Sequence, residues 1–173
     1  MLRLDRSRHT WCKSDSLFGF VGHQQRGHSV EWFSVILSIC SALSGRTDYP
    51  TRSVAQAIAV STSDLREAAT LAVTAWGESR FLSRPGRGDG GKSCGAMQVR
   101  ARDAADCSAL EKDLAMSMRR ALWVMREGAR ICPAFPLAPY AGGCGVKRAQ
   151  AISLSRENDA SSLVAWIEND WED

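Results

Sequence analysis

Along this chain the clearest rhythm of apolar positions begins just after residue 63. Leu65, Ala68, Ala69, Ala72, Val73 and Trp76 recur at spacings of three and four, which places them on one face of a helix. Ser63 stands where a capping residue belongs, and Asp64 and Glu67 suit the positive end of the helix dipole. The spacing predicts a helix over 64–77 that delivers Glu78 at its C-terminal end. A second rhythm runs through Leu110, Leu114, Met118, Leu122, Met125 and Ala129 and predicts a long amphipathic helix over 109–130. Residues 29–43 form an apolar run suited to a buried helix, 52–60 predict a short helix, and two weaker helices are expected over 146–155 and 160–171.

The stretches between these segments carry breakers. "SGRTDYPTR" reads as a turn-rich connector, "SRPGRGDGGKS" as a loop and "CPAFPLAPYAGGCG" as an irregular segment. "CGAMQV" reads as a short extended piece. No set of strands and no internal repeat emerges, so the class expected is mainly α with at most a very small β element. Residues 1–28 show no period and read as a poorly ordered extension; residues 29–173 read as a single domain, long enough to bury a genuine core. No apolar run reaches the roughly 18 residues of a spanning helix, and the start of the chain is polar where the apolar region of a standard signal peptide should stand.

Charge refines this picture. The net charge of +3 conceals a basic middle, with 17 Lys/Arg against 10 Asp/Glu over residues 46–156, and an acidic end, with six Asp/Glu and no Lys/Arg over 157–173. A basic middle suits a polyanion, whether nucleic acid or cell wall, and equally suits ordinary solvated faces. No basic stretch is interleaved with aromatics and no nucleic-acid motif is present, so nucleic acid is not an expected partner. The six cysteines, Cys12, Cys40, Cys94, Cys107, Cys132 and Cys144, are even in number and lack any C-x-x-C spacing. That favours disulfides over zinc and an extracytoplasmic or virion setting, with buried free thiols as the alternative.

Histidine excludes much chemistry. His9, His23 and His28 all precede the periodic part of the chain. A Ser-His-Asp triad, a Cys-His pair or an H-E-x-x-H zinc site within the folded middle is therefore not expected. "GRGDGGKS" lacks the spacing of a phosphate-binding loop. Carboxylate chemistry remains. A carboxyl near the negative end of a helix dipole is biased toward its protonated form, which suits a general acid. Taken alone, Glu78 reads as an ordinary surface residue at a helix end.

Its surroundings add to that reading. "ESRF", the glycine-rich loop, "GAMQV", a long helix and then "PYAGG" follow in this order over about residues 60–156. The series resembles the lytic transglycosylase and goose-type lysozyme superfamily. The resemblance implies a lysozyme-like, mainly helical fold with peptidoglycan as substrate. It implies Glu78 as catalytic acid and Ser79 as a hydrogen-bonding neighbour. It further implies Gly95, Met97 and Gln98 as lining of the glycan cleft, and Tyr140 as the tyrosine closing the site over the glutamate. The chain departs from the family pattern at Ala96, where leucine is usual, and at Ala141, where asparagine is usual. The implied reaction cleaves the bond between N-acetylmuramic acid and N-acetylglucosamine with no metal or cofactor. A lysozyme-type hydrolase would need a second carboxylate, for which the loop offers Asp89. A non-catalytic wall-binding or virion structural protein of the same fold is the remaining alternative. Cys94 and Cys107 bracket the Gly-Ala-Met-Gln segment, and Cys132 and Cys144 bracket the segment with Tyr140. Within this resemblance each pair is expected to form a local disulfide.

Overall fold

The structure, a computed structural model, describes residues 26–82 and 85–170. Among these residues seven α-helices and one two-stranded antiparallel sheet succeed one another: α1 Arg26–Ser44, α2 Tyr49–Ala59, α3 Leu65–Ser79, β1 Ser93–Cys94, β2 Val99–Arg100, α4 Ala104–Lys112, α5 Leu114–Ile131, α6 Ala138–Ala141 and α7 Lys147–Asp170. The protein is mainly α with a very small β element, as the pattern of the chain leads one to expect. The reading of residues 1–28 as an extension lies, up to residue 25, outside the described residues, and α1 already starts at Arg26.

α3 is the helix around which the others assemble. Every residue from Ala68 to Ala75 is buried, and α1, α2, α5 and α7 all pack against it. Four of those eight residues are alanine, so neighbouring backbones can approach closely on all sides. The core continues through Ile36, Ile39 and Cys40 of α1, Val54 and Ile58 of α2, Met118 and Leu122 of α5 and Leu163 and Ile167 of α7. Burial pushes the free Cys40 thiol well above its ordinary range, which suits a packing role over a reactive one.

Several boundaries differ from the expectations, each for a local reason. Asp64, not Ser63, caps α3, accepting a bond from the Glu67 amide at 2.8 Å. α2 begins at Tyr49 because Asp48 caps it and Pro50 sits in its first turn; these helix-start signals lie inside the stretch read as a connector. The long helix expected over 109–130 is two helices. Asp113 takes an extended conformation (φ −116°, ψ 99°) and caps α5 through the Met116 amide, which ends α4. The two helices expected over 146–155 and 160–171 are one, α7, whose described part runs to Asp170. Asn158 and Asp159 favour a break by propensity, but Ala149, Ser153, Ala160, Leu163 and Ile167 form a continuous buried stripe across them.

Two disulfides hold the irregular parts. Cys94–Cys107 joins β1 to α4, with Cα atoms 5.4 Å apart, and Cys132–Cys144 closes the segment between α5 and α7, with Cα atoms 5.9 Å apart. Both expected pairs are present; Cys12 lies outside the described residues. No helix among the described residues is long and apolar enough to cross a membrane.

A buried acid anchors α4. Asp106 is 5% exposed and bonds the Arg102 amide, the Arg102 guanidinium and the Arg120 guanidinium. The amide bond first, and then the two guanidinium groups, hold its carboxyl down at about 2, against the opposing effect of burial. A lowered folded-state value stabilises the fold above the unfolded value and loses that contribution as pH falls through the folded one. Asp106→Asn should therefore lower stability at pH 7 by about 1–3 kcal/mol, by weakening these bonds. The wild type is expected to lose urea midpoint between about pH 4 and pH 2, and the variant should flatten that decline. Parallel acid-limb curves for the two proteins would refute this assignment.

Candidate active site

The last turn of α3 carries Glu78. Directly after it the chain turns sharply: Arg80 caps the helix in the left-handed region (φ 53°, ψ 37°) and Phe81 follows at φ 65°. Left-handed non-glycine residues are costly, of order 1–3 kcal/mol each, and persist only where packing compels them. Here the Phe81 ring is buried 5.2 Å from the Trp76 ring, and the Arg80 guanidinium lies 4.7 Å over the Trp76 ring on its other contact. This packing sets the direction in which α3 stops, and with it the placement of Glu78.

Across from Glu78 stands α7. Arg156 Nη2 donates to Glu78 Oε1 at 2.5 Å, and the two side chains are 13% and 26% exposed. The guanidinium carbon of Arg156 also lies 5.9 Å over the Tyr140 ring. Tyr140 comes from α6, the four-residue helix inside the segment closed by Cys132–Cys144. α7 holds that segment directly, since the Leu137 amide donates to Ser153 Oγ at 3.0 Å one turn before Arg156. Burial first, and the Glu78 carboxylate second, push the Tyr140 hydroxyl well above its ordinary range, while Arg156 pulls it back. Tyr140 is therefore a neutral phenol, able to donate a hydrogen bond but not to take up a proton as a base. Buried polar atoms are nearly always hydrogen-bonded. Tyr140 Oη and Arg156 Nη1 are buried with no hydrogen-bond partner among the described residues, and Arg156 itself bonds Glu78.

Gly77 completes this arrangement. A Cβ at that position would stand 3.2 Å from Arg156 Nη2, so the absent side chain makes room for the guanidinium.

The other residues singled out by the sequence have structural duties. Ser79 is buried and its hydroxyl donates to the Ala75 carbonyl at 2.9 Å, within its own helix. Gly95 takes φ 72°, and a Cβ there would fall 2.6 Å from the Leu110 carbonyl oxygen, so only glycine fits this turn. Met97 is fully buried in the core. Gln98 spends its amide on the glycine-rich loop: Oε1 accepts from the Gly88 amide at 2.9 Å, and Nε2 donates to the Gly86 and Gly95 carbonyls at 2.9 and 3.0 Å. "CGAMQV" is thus a tight antiparallel hairpin, with Cys94 paired to Val99. Asp89 is exposed at φ 51°, and its carboxylate accepts from Ser93 Oγ within the same loop.

Arg156 was not among the residues the sequence pointed to, though a signal for it exists. In α7 it falls between Ser153 and Ala160 in the three-four rhythm of the buried stripe, where a charged residue is out of place. Reading 146–155 and 160–171 as separate helices hides that register.

Two grooves open elsewhere on the surface. One, of about 610 Å³, lies at the N-terminus of α3 beside Thr62, Asp64, Glu67 and Arg126. The other, of about 620 Å³, lies between Arg102, Met116, Arg119, Arg120 and Trp123. Neither of these two grooves is lined by Glu78. Comparison with protein-family models, with curated proteins and with solved structures returned no match to this chain.

Proposed function

We propose that this chain is a peptidoglycan-cleaving enzyme of the lytic transglycosylase type. The observation that carries the reading is that Glu78 and Tyr140 meet the same residue of α7. These two residues, singled out by resemblance to lytic transglycosylases and goose-type lysozymes, come from distant parts of the chain, and Arg156 bonds the one and lies over the ring of the other. In the proposed reaction Glu78 protonates the glycosidic oxygen between N-acetylmuramic acid and N-acetylglucosamine, and the C1–O bond breaks to an oxocarbenium-like ion. The resulting carboxylate then removes the proton from the muramoyl 6-hydroxyl as its oxygen bonds to C1, giving a 1,6-anhydro sugar. The neutral Tyr140 hydroxyl serves as a fixed donor at the reacting end. The two disulfides support an extracytoplasmic setting, where such a substrate is found.

Transglycosylation is favoured over hydrolysis by the state of Asp89. An inverting hydrolase holds a second carboxylate about 6.5–9.5 Å from the first, fixed firmly enough to activate water. Asp89 instead caps its own exposed turn through Ser93. Digestion of purified peptidoglycan should give mainly 1,6-anhydromuropeptides, one water lighter than reducing-end products by mass spectrometry. Mainly hydrated products, lost in Asp89→Asn, would identify a hydrolase.

A non-catalytic wall-binding role has one observation in its favour: the grooves lie away from Glu78. A zymogram on purified peptidoglycan separates it from the enzymatic reading. Retention of the protein on the wall without clearing would support binding alone.

A further inference from the structure

A carboxyl that works as an acid and then as a base has two equivalent oxygens, and a proton can sit on either. In this protein they are not equivalent. Arg156 Nη2 bonds Glu78 Oε1, and Oε2 carries no hydrogen bond from the described residues. A guanidinium is always protonated and only donates, so the oxygen it contacts is the poorer place for a proton. We infer that Arg156 is the positioning residue of this site, clamping Oε1 so that Oε2 is the atom that delivers and recovers the proton.

Three features support this, independently of the resemblance. Arg156 occupies the buried stripe of α7, where its charge would be excluded unless it were paired; Glu78 is its only ion-pair partner among the described residues. Gly77 precedes Glu78 and leaves the space that the guanidinium fills. Tyr140 supports the clamp from below, with its ring against the guanidinium. Other charges of α3, α5 and α7 are committed elsewhere. On α7, Glu157 pairs with Arg66; on α5, Arg126 pairs with Glu67 near the far end of α3; and Arg80 lies on Trp76. Among the described residues, Arg156 is the cation that pairs with Glu78. In the reaction, Oε2–H gives its proton to the leaving oxygen, and Oε2 later takes the proton of the 6-hydroxyl. Arg156 exchanges no proton at any step.

The inference rests on the transglycosylase reading, and steady-state kinetics of the full chain on soluble uncrosslinked peptidoglycan strands tests it. Arg156→Gln should lower kcat about 30–100-fold with KM within about twofold, because orientation acts on the chemical step. Arg156→Lys, which keeps a donor and a charge, should recover at least fivefold of that loss. Gly77→Val leaves Arg156 in the chain but pushes its guanidinium aside, and should lower kcat about tenfold. Gly77→Val should add little on top of Arg156→Gln, since both act through one clamp. A KM rise at unchanged kcat in Arg156→Gln overturns the inference. So does a lysine variant no better than glutamine, or a Gly77→Val protein with wild-type kcat, and the last decides the matter even if Arg156→Gln fails to fold. An active wild type with unaffected variants overturns Arg156 alone, whereas an inactive wild type overturns the transglycosylase reading and this inference with it.

Discussion

Glu78→Gln should abolish lysis of a peptidoglycan suspension while leaving the fold in place. General acid–base catalysis contributes about 10²–10⁴-fold, and here one carboxyl is asked to serve both proton transfers, so a loss of at least about 10³-fold is expected. Glutamine is isosteric and its amide oxygen can still accept the bond from Arg156, which keeps the α3–α7 contact closed. What disappears is the charge opposite a guanidinium that is 13% exposed. Losing the partner of a largely buried charge is destabilising, but the retained hydrogen bond limits the effect to about 1–3 kcal/mol. For a chain of this length that is a fall in Tm of roughly 2–12 °C. Circular dichroism should show unchanged helicity below the transition. A purified variant that still clears the suspension near the wild-type rate removes Glu78 from the mechanism.

Replacing Cys132 and Cys144 together by serine should be the most damaging change away from Glu78, in stability and activity at once. The bond closes the proline- and glycine-rich segment that carries Tyr140, whose other ties are the short α6, the buried Leu137 and Ala138 and the Leu137–Ser153 and Gln150–Cys144 bonds. Loss of such a crosslink costs about 2–5 kcal/mol, a fall in Tm of roughly 4–20 °C. Activity should fall by more than the unfolded fraction explains, because Tyr140 loses its fixed place beside Glu78. The comparable loss of Cys94–Cys107 should act on stability alone, since it ties β1 to α4. Thermal melts and lysis assays below the transition read both, after peptide mapping without reduction has verified each pair. Equal loss of activity in the two double variants would mean that the Tyr140 segment has no special part.

The same physics shows up in a single atom elsewhere. A Cβ on Gly128 would fall 2.1 Å from the Pro136 carbonyl oxygen. α5 and the segment after it can touch only because residue 128 has no side chain, so Gly128→Ala should lower Tm despite alanine's better helix propensity.

What the linear sequence determined by itself is what periodicity and local chemistry determine. The rhythm from Leu65 to Trp76 was enough for α3, because a single apolar face over three turns has no competing fold of that period. The density of proline and glycine around Tyr140 was enough to place that residue outside a long helix, and the brackets of cysteine around two irregular segments correspond to the two disulfides. Glu78 at the end of α3 followed from the same count. The boundaries that went astray are those where a capping side chain outweighed hydrophobic rhythm, or where a buried stripe outweighed local propensity. Asp113 divides a pattern that is continuous in its apolar residues, and a buried stripe carries α7 through Asn158 and Asp159 against their propensity. Only the tertiary structure decided what surrounds the glutamate. The partner of Glu78 lies on a helix that is close in space and remote in sequence, and nothing local to either residue encodes their distance. The same holds for Gln98 and Ser79, whose polar atoms could have faced a ligand but are bonded within their own loop and helix. A residue type states which bonds it can make; which of them it makes depends on the groups that folding brings within about 3 Å.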